Sequence, residues 1–244
     1  MKNRCIELFK NLKVDKTQEI VGKYVTRYQK SENSLAQSSE LKTFEKVDVR
    51  GKRVVVRVDW NVTLGKALQI LDDTRIIRTL PTIKWLLEHG AKQIVLMSHL
   101  GKAEEKRSLA PIVKYANNIF GQKIQLYDTI ATCKSAKSKL VMLENLRLWE
   151  GEDSNDENFS RHLASLGDIY VNEAFGECHR SSASILGITK FLPSYAGFWL
   201  QDEVQTILKV SEKPARPYVV VMGGAKIVDK IKLIEVLSHT ADTI

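Results

Sequence analysis

The chain has little cysteine and no long apolar run, and both absences narrow the class of protein. Its three cysteines, Cys5, Cys133 and Cys178, are too few and too scattered for a disulfide framework or a zinc site. This usage fits a reducing compartment. No apolar stretch approaches the roughly 18 residues that a membrane span requires, and the first residues lack the apolar core of a signal peptide. We therefore expect a cytoplasmic protein with no membrane partner.

Sequence motifs for polyphosphates and nucleic acids are also missing. No G-x-x-x-x-G-K-[ST] loop occurs, and no G-x-G-x-x-G follows a predicted strand, so a complete nucleotide site is not visible. No basic stretch is interleaved with aromatic residues, which argues against nucleic acid as a partner. The net charge is +8, from 37 Lys and Arg against 29 Asp and Glu. It leaves two interpretations open, a soluble surface with a basic bias and a protein that handles anions.

Residues 1–40 differ in pattern from the rest of the chain. Val21, Tyr24, Val25 and Tyr28 follow the i, i+3, i+4, i+7 rule, which predicts an amphipathic helix over about Lys16–Gln29. The polar stretch SENSLAQSSE then has the composition of a linker. We expect an N-terminal helical extension that docks on its own domain, although docking on another chain or on nothing also fits the pattern.

From residue 41 onward, apolar strands alternate with amphipathic helices. The strands are predicted at RVVVRVDW, KQIVLMSH, KIQLYD, KLVMLEN, DIYVNEAF and RPYVVVMGG. The helices include IIRTLPTIKWLLEHG, with a start or kink near Pro81, APIVKYANNIFG, closed by Gly121, and SNDENFSRHLASLG, capped by its serine or asparagine. This alternation predicts an α/β fold with a doubly wound, mainly parallel, Rossmann-like sheet of about six strands and helices on both faces.

Polar side chains follow most of the predicted strands. They are Asp59 and Asn61 after the first, His99 and Lys102 after the second, Arg147 after the fourth, Arg180 after the fifth and Lys226 after the last. The carboxyl ends of parallel strands share one edge, and open α/β sheets bind ligands there near a switch in strand order. We therefore expect these side chains to face a common ligand.

The residue types on this edge indicate the chemistry of the ligand. Guanidinium forks and an imidazole suit phosphate or carboxylate oxygens, and Arg75, just before the first helix, is expected to join them. Asp59 and Asn61 suit a hydroxyl group. The pattern predicts a small polyanion with at least one hydroxyl.

A purely local role remains open for several of these residues. Asp59 and Asn61 could bond neighbouring backbone in a turn. Arg147 could pair with Glu144 or Glu150, and Arg75 with Asp72 or Asp73. The placement at successive strand ends is what favours a shared site.

The stretch VVVMGGAKIVDK has two features that suit contact with a phosphate. Two glycines after an apolar run allow the backbone to approach a phosphate closely. Lys226 and Lys230 are four residues apart, so on a helix they would share one face.

Long motifs, in order from about Phe44 to the end, resemble one family. They are VVVRVDWNV, MSHLGK, SLAP, LENLR, DIYVNEAFGECHR, FLPSYAGF and RPYVVVMGGAKIVDKI, and together they resemble the N-terminal domain of phosphoglycerate kinase. The resemblance implies a glycolytic transferase that moves a phosphoryl group between 1,3-bisphosphoglycerate and ADP, giving 3-phosphoglycerate and MgATP. It implies that residues 41–244 form the phosphoglycerate-binding domain and the start of the interdomain region.

The resemblance also assigns roles to residues, and these are expectations. Arg75 and Lys226 would be catalytic, acting on the transferred phosphoryl group. The substrate would be held by Asp59, Asn61, Arg75, His99, Lys102, Arg147 and Arg180, and Lys230 would reach nucleotide phosphates. No metal ligand is expected among these residues, and most of the site for ATP or ADP with Mg²⁺ would lie outside this chain.

Four departures from the family pattern are visible. Lys102 stands where arginine is usual, Trp60 for phenylalanine, Glu173 for aspartate and Ser182 for histidine. The chain also stops before the glycine-rich nucleotide region of the family.

Two hypotheses about function follow. The first is a phosphoglycerate kinase whose 244 residues alone are inactive and need a separate nucleotide-binding half. The alternative is a non-catalytic module that binds 3-phosphoglycerate or a similar anion.

Overall fold

The computed structural model describes residues 41–212, 214–224 and 231–244. The predicted extension over residues 1–40 lies outside these residues, and so do Lys226 and Lys230. The described chain divides into two compact units, one over residues 41–205 and one formed by the described residues from 206 to 244. The predicted site residues that are described all belong to the first unit.

The first unit is built on a parallel sheet of six strands in the order β3-β4-β2-β1-β5-β6. The strands are β1 Arg53–Arg57, β2 Gln93–Met97, β3 Gln125–Tyr127, β4 Leu140–Leu143, β5 Ile169–Asn172 and β6 Ser194–Ala196. All five pairings are parallel. The predicted Rossmann-like α/β class is thereby confirmed.

The central strand shows why its sequence is apolar without alternation. Val54 and Val56 belong to one core cluster, whereas Val55 points to the other face of the sheet and belongs to a second cluster. All three side chains have no exposed surface. A strand covered on both faces has no position where a polar residue would be solvated, so it reads as a continuous β-branched run.

Helices of the first unit cover both faces of the sheet. Those between β1 and β4 are α1 Thr74–Ile77, α2 Leu80–Glu88, α3 Ala110–Phe120 and α4 Ile130–Lys134. Those that follow are α5 Glu150–Asp153 and α6 Glu157–Ala164, and α7 Phe198–Glu212 begins in this unit and ends in the second. Ile83 of α2 and Ile112 of α3 pack in the cluster on one face, and Cys133 of α4 and Leu163 of α6 in the cluster on the other.

Helix ends follow local chemistry, with one correction. Pro81 lies in the first turn of α2, where it lacks only an N–H that would be unsatisfied, and the predicted break falls between α1 and α2. Gly121 closes α3 with φ of 61°. The predicted serine or asparagine cap of α6 is wrong. Asp156 is the N-cap, and its carboxylate accepts from the Phe159 N–H at 2.7 Å.

The prediction of a strand over RPYVVVMGG is wrong. Within the described residues this segment makes one isolated bridge, between Val219 and Thr243, and Val221 is 93% exposed. An apolar β-branched run becomes a strand only where neighbouring strands accept its hydrogen bonds. The sixth strand is β6 instead, and α8 Ile231–Ser238 follows in the second unit. Among the described helices, none combines the length and the apolar character that a membrane span requires.

Chain topology determines where a ligand can bind. β1 lies between β2 and β5. The helix that follows β2 packs on one face of the sheet, and the segment that follows β5 packs on the other face. Such a switch in winding direction opens a crevice at the carboxyl ends of the strands. The segments after β1, β2, β4 and β5 all lie at that edge.

Candidate functional site

The exit of β1 is tied to the exit of β2. The Trp60 N–H donates to Ser98 Oγ at 2.9 Å, and the Gly101 N–H donates to Asn61 Oδ1 at 2.9 Å. Because the carbonyl oxygen of Asn61 is engaged, its amide Nδ2 is the group left to face a ligand, as a donor. Asn61 thus holds the second loop and lines the cleft beyond it.

Arg75 does not pair with its sequence neighbours. Its Nη1 forms an ion pair with Oδ2 of Asp59, whose side chain is buried, while the Arg75 side chain is 47% exposed. Asp72 instead accepts from the Thr74 N–H, and Asp73 from the Tyr115 hydroxyl at 2.7 Å. The ion pair joins the exit of β1 to the start of α1.

His99 lies at the base of the cleft with 2% of its surface exposed. Its Nδ1 is 3.2 Å from Nη2 of Arg57. Because a guanidinium can only donate, Nδ1 must accept, and the imidazole proton is on Nε2. His99 therefore presents one N–H donor to the cleft.

The surroundings of His99 keep its ring neutral. Burial, together with the positive charges of Arg57, Arg147, Arg180 and Arg75, lowers its pKa to about 2. A neutral donor adds no charge of its own, so the guanidinium groups supply the positive potential of this edge.

Arg57 is a site residue that the sequence did not reveal. It interrupts the apolar run of β1, yet only 1% of its surface is exposed. Its Nε donates to Ser184 Oγ at 2.9 Å, and Ser184 Oγ donates to the buried carboxylate of Glu152 at 2.6 Å. Burial raises the pKa of Glu152, and the charge of Arg57 opposes that shift. This buried chain of hydrogen bonds fixes the guanidinium that orients His99.

Two further arginines converge on one carboxylate beside His99. Arg180 Nε is 3.0 Å from Oε2 of Glu177, and Arg147 Nη2 is 3.9 Å from the same oxygen. Nε2 of His99 is 3.7 Å from Oε1 of Glu177. Arg147 also pairs with Asp153 at 2.9 Å. The local alternative that was open for Arg147, an ion pair with Glu144 or Glu150, is not the pairing it makes.

These groups line an open cleft of about 640 Å³. Five of the predicted substrate-binding residues line it, namely Asn61, His99, Lys102, Arg147 and Arg180. The ion pair of Asp59 and Arg75 lies at the same edge of the sheet, between the exit of β1 and the start of α1. The cleft brings together cations and N–H donors from four separate loops, which suit an anion, and the carboxylates of Glu104, Glu105, Asp153 and Glu177 line it as well.

Comparison with known proteins assigns the fold to a family. The family model for phosphoglycerate kinase matches residues 44–244. The chain belongs to the phosphoglycerate kinase family. Relatives include the phosphoglycerate kinases of Coprothermobacter proteolyticus, 41% identical over 218 residues, and Roseiflexus sp., 44% identical over 216 residues. Each alignment covers 83% of this chain and 54% of the relative, so the chain spans about half the length of these kinases.

Solved structures of the family agree with the architecture. The chain resembles phosphoglycerate kinase from Coxiella burnetii with a TM-score of 0.73 and 31% identity, covering 83% of this chain and 53% of that one. It resembles the enzyme from Pyrococcus horikoshii with a TM-score of 0.75 and 28% identity, covering 83% and 55%. Both matches again span about half of the longer chain.

Three departures from the phosphoglycerate kinase pattern have distinct environments. Lys102 is exposed at the cleft and offers a single ammonium where the family has a guanidinium fork. Ser182 is buried and hydrogen-bonded to Glu152. Glu173 is fully buried and points away from the cleft, toward the first turn of α7, where its Oε2 accepts from the Trp199 N–H at 2.9 Å.

Among the described residues, no group of three or more His, Cys, Asp or Glu side chains is arranged to hold a metal ion. Lys230, the residue expected to reach nucleotide phosphates, and Lys226, the second catalytic residue expected, lie outside the described residues. The chemistry available in the described cleft is binding and orientation of an anion.

Proposed function

We propose that the cleft binds the phosphate-bearing end of 3-phosphoglycerate or 1,3-bisphosphoglycerate. The observation that carries the proposal is the convergence of Arg147, Arg180 and the Nε2 proton of His99 around one carboxylate position. A phosphate group fits such a set because it offers three acceptor oxygens to a cluster of charged and neutral donors. Lys102 adds a further positive charge at the rim.

The remaining predicted residues fit the rest of such a substrate. The Asn61 amide, left as a donor by its bond to Gly101, would meet a hydroxyl or carboxylate oxygen of the glycerate. Arg75 is held by Asp59 at the same edge, where it would neutralise charge on the transferring phosphoryl group together with Lys226. Phosphoryl transfer depends mainly on such positioning and charge neutralisation.

The proposed activity is that of phosphoglycerate kinase, with ATP or ADP and Mg²⁺ bound by a second half. Lys230 would reach the nucleotide phosphates, and closure of the two halves would exclude water from Arg75 and Lys226. We place this chemistry in the cytoplasm, with no nucleic acid and no membrane as partner. A coupled assay of ATP-dependent phosphorylation of 3-phosphoglycerate should show no appreciable turnover for the 244 residues alone. Turnover on adding a separate nucleotide-binding half would support the kinase, and its absence would favour the binding module.

Calorimetry with 3-phosphoglycerate tests the site directly. Arg180→Ala should weaken binding about tenfold or more, because it removes a charge-assisted contact to phosphate. Arg161→Ala is the matched control, because Arg161 is an exposed arginine on α6 that pairs with Glu157 and does not line the cleft. Binding should weaken as salt is raised. Equal affinity of the Arg180→Ala variant and the unmodified chain would remove the basis of the proposal.

A further inference from the structure

Glu177 occupies the point at which the phosphate-binding groups converge. It lies on the 3₁₀ turn Phe175–Glu177 that follows β5, and its side chain is 12% exposed. Its two carboxylate oxygens face Arg180 at 3.0 Å, His99 at 3.7 Å and Arg147 at 3.9 Å. An anion from solution would have to use the same three groups.

Other ion pairs in the cleft leave little unused positive charge. Arg147 pairs with Asp153, and Arg107 pairs with Glu105 at 2.9 Å. Among the cleft-lining residues that the structure describes, the Lys102 ammonium is the cation without an ion pair to a carboxylate. The cations that line the cleft are therefore largely neutralised by carboxylates of the same chain, and Glu177 takes the place of an anion among its three partners.

We propose that Glu177 is an internal anion that a phosphate must displace, and that this competition lowers the affinity of the cleft for every anion, so that only strongly attracted anions such as dianions bind. The inference rests on the proposed function, because it concerns the same cleft. An attached carboxylate competes at a high effective concentration, so a monoanionic carboxylate from solution, which offers the same charge, gains nothing by replacing it. A phosphate dianion carries more charge and one more acceptor oxygen, so it can replace the side chain.

The cost of displacement continues after phosphate has bound. The displaced Glu177 carboxylate stays on the loop between β5 and Arg180, close to the bound dianion, and like charges in proximity repel. A neutral side chain at position 177 would remove both the competition and the repulsion. Glu177 therefore lowers affinity for all anions, and the stronger attraction of a dianion to the arginines is what allows it to bind despite this cost.

Calorimetry at low ionic strength with inorganic phosphate and with acetate tests the inference. Glu177→Gln keeps the shape of the side chain and removes its charge. It should tighten phosphate binding about tenfold, as the loss of one partly buried charged competitor would give, and it should make acetate binding measurable. Glu104→Gln is the control, because Glu104 lines the same cleft but forms no ion pair with the arginines. It should change phosphate affinity less than about twofold. Thermal unfolding of each variant shows whether the fold is retained.

The outcomes separate this inference from the proposed substrate. Unchanged or weaker phosphate binding in Glu177→Gln, or an equal gain in Glu104→Gln, overturns the role of Glu177. If 3-phosphoglycerate binds the unmodified chain but Glu177→Gln does not tighten it, the substrate stands and the inference fails. If phosphate tightens as expected but 3-phosphoglycerate binds no better than phosphate, the inference stands and the substrate fails. Absence of binding by any anion to any variant overturns both.

Discussion

Replacing Glu173 by glutamine should stabilise the protein above neutral pH and leave it nearly unchanged in mild acid. Glu173 has no exposed surface. Its carboxyl group accepts from the Thr82 hydroxyl and from the N–H groups of Trp199 and Leu200, at 2.9 and 3.2 Å. Burial raises its pKa to about 7, against an ordinary value of 4.5, and the hydrogen bonds offset only part of that shift. A glutamine amide reproduces the protonated form of this group.

The magnitude follows from proton linkage. Between the ordinary pKa of 4.5 and the folded pKa of about 7, the folded chain keeps a proton that the unfolded chain has released. The free energy of unfolding therefore falls as pH rises through this window. At about 1.36 kcal/mol for each pKa unit, the Glu173 contribution lost by pH 8 is about 3 kcal/mol. Glu173→Gln should match the unmodified chain near pH 4.5 and exceed its stability by about 3 kcal/mol near pH 8.

Urea unfolding followed by tryptophan fluorescence is the assay. All four tryptophans, Trp60, Trp85, Trp149 and Trp199, lie in the first unit, so their emission reports the unit that contains Glu173. Titrations at about pH 5, 6, 7 and 8 give the free energy of unfolding at each pH by linear extrapolation. Glu157→Gln serves as the control, because Glu157 is an exposed carboxylate on α6.

The difference between variants is the quantity to compare, because His99 acts in the opposite direction. Its folded pKa of about 2 lies below the ordinary 6.5, so its contribution to the free energy of unfolding is present above pH 6.5 and is lost as pH falls. This contribution cancels when Glu173→Gln is subtracted from the unmodified chain. A stability difference that does not change with pH, or a glutamine variant less stable at pH 8, would refute the reasoning.

Three further predictions concern packing and reactivity in the first unit. Gly197→Ala should lower the free energy of unfolding by about 1–3 kcal/mol in urea titrations, because an added Cβ would lie 2.3 Å from the Glu173 carboxyl group; an unchanged urea midpoint would contradict this. Leu96→Ala should cost about 2–5 kcal/mol with an unchanged denaturant slope, because Leu96 has no exposed surface; a smaller loss would show that the core collapses around the site. Cys133 should resist iodoacetamide at about pH 8 until the chain unfolds, because burial raises its pKa to about 11; peptide mapping by mass spectrometry that finds it labelled in the folded protein would contradict its burial.

Sequence patterns sufficed for most of the sheet because parallel strands have a local signature. The run Val54–Val56 is apolar without alternation, and only a strand covered on both faces requires that. The same signature failed for RPYVVVMGG. An apolar β-branched run shows that a segment could be a buried strand, but it does not show whether neighbouring strands are present to pair with it. β6 escaped prediction because three residues, Ser194–Ala196, carry too little periodicity.

The sequence predicted those residues of the candidate site that directly follow a strand. Strand ends are local in sequence, so Asn61, His99 and Arg147 could be placed at one edge from topology alone. Arg57 was not found because its role depends on Ser184, 127 residues away. An arginine inside a β-branched run was the available signal, since a charge is buried there only when it has partners.

Two glutamates that follow β5 show that residue type alone does not predict how a charge affects the free energy of folding or of ligand binding. Glu173 and Glu177 are four residues apart, yet the first faces a hydroxyl and backbone N–H groups and the second faces two guanidinium groups and an imidazole. Neutral donors do not offset the loss of hydration of a carboxylate, whereas cations do when the geometry is close. Charge on Glu173 therefore opposes folding, and charge on Glu177 opposes ligand binding. Neutralising Glu173 should change the free energy of unfolding near pH 8 and have little effect on phosphate affinity. Neutralising Glu177 should change phosphate affinity and have little effect on the free energy of unfolding.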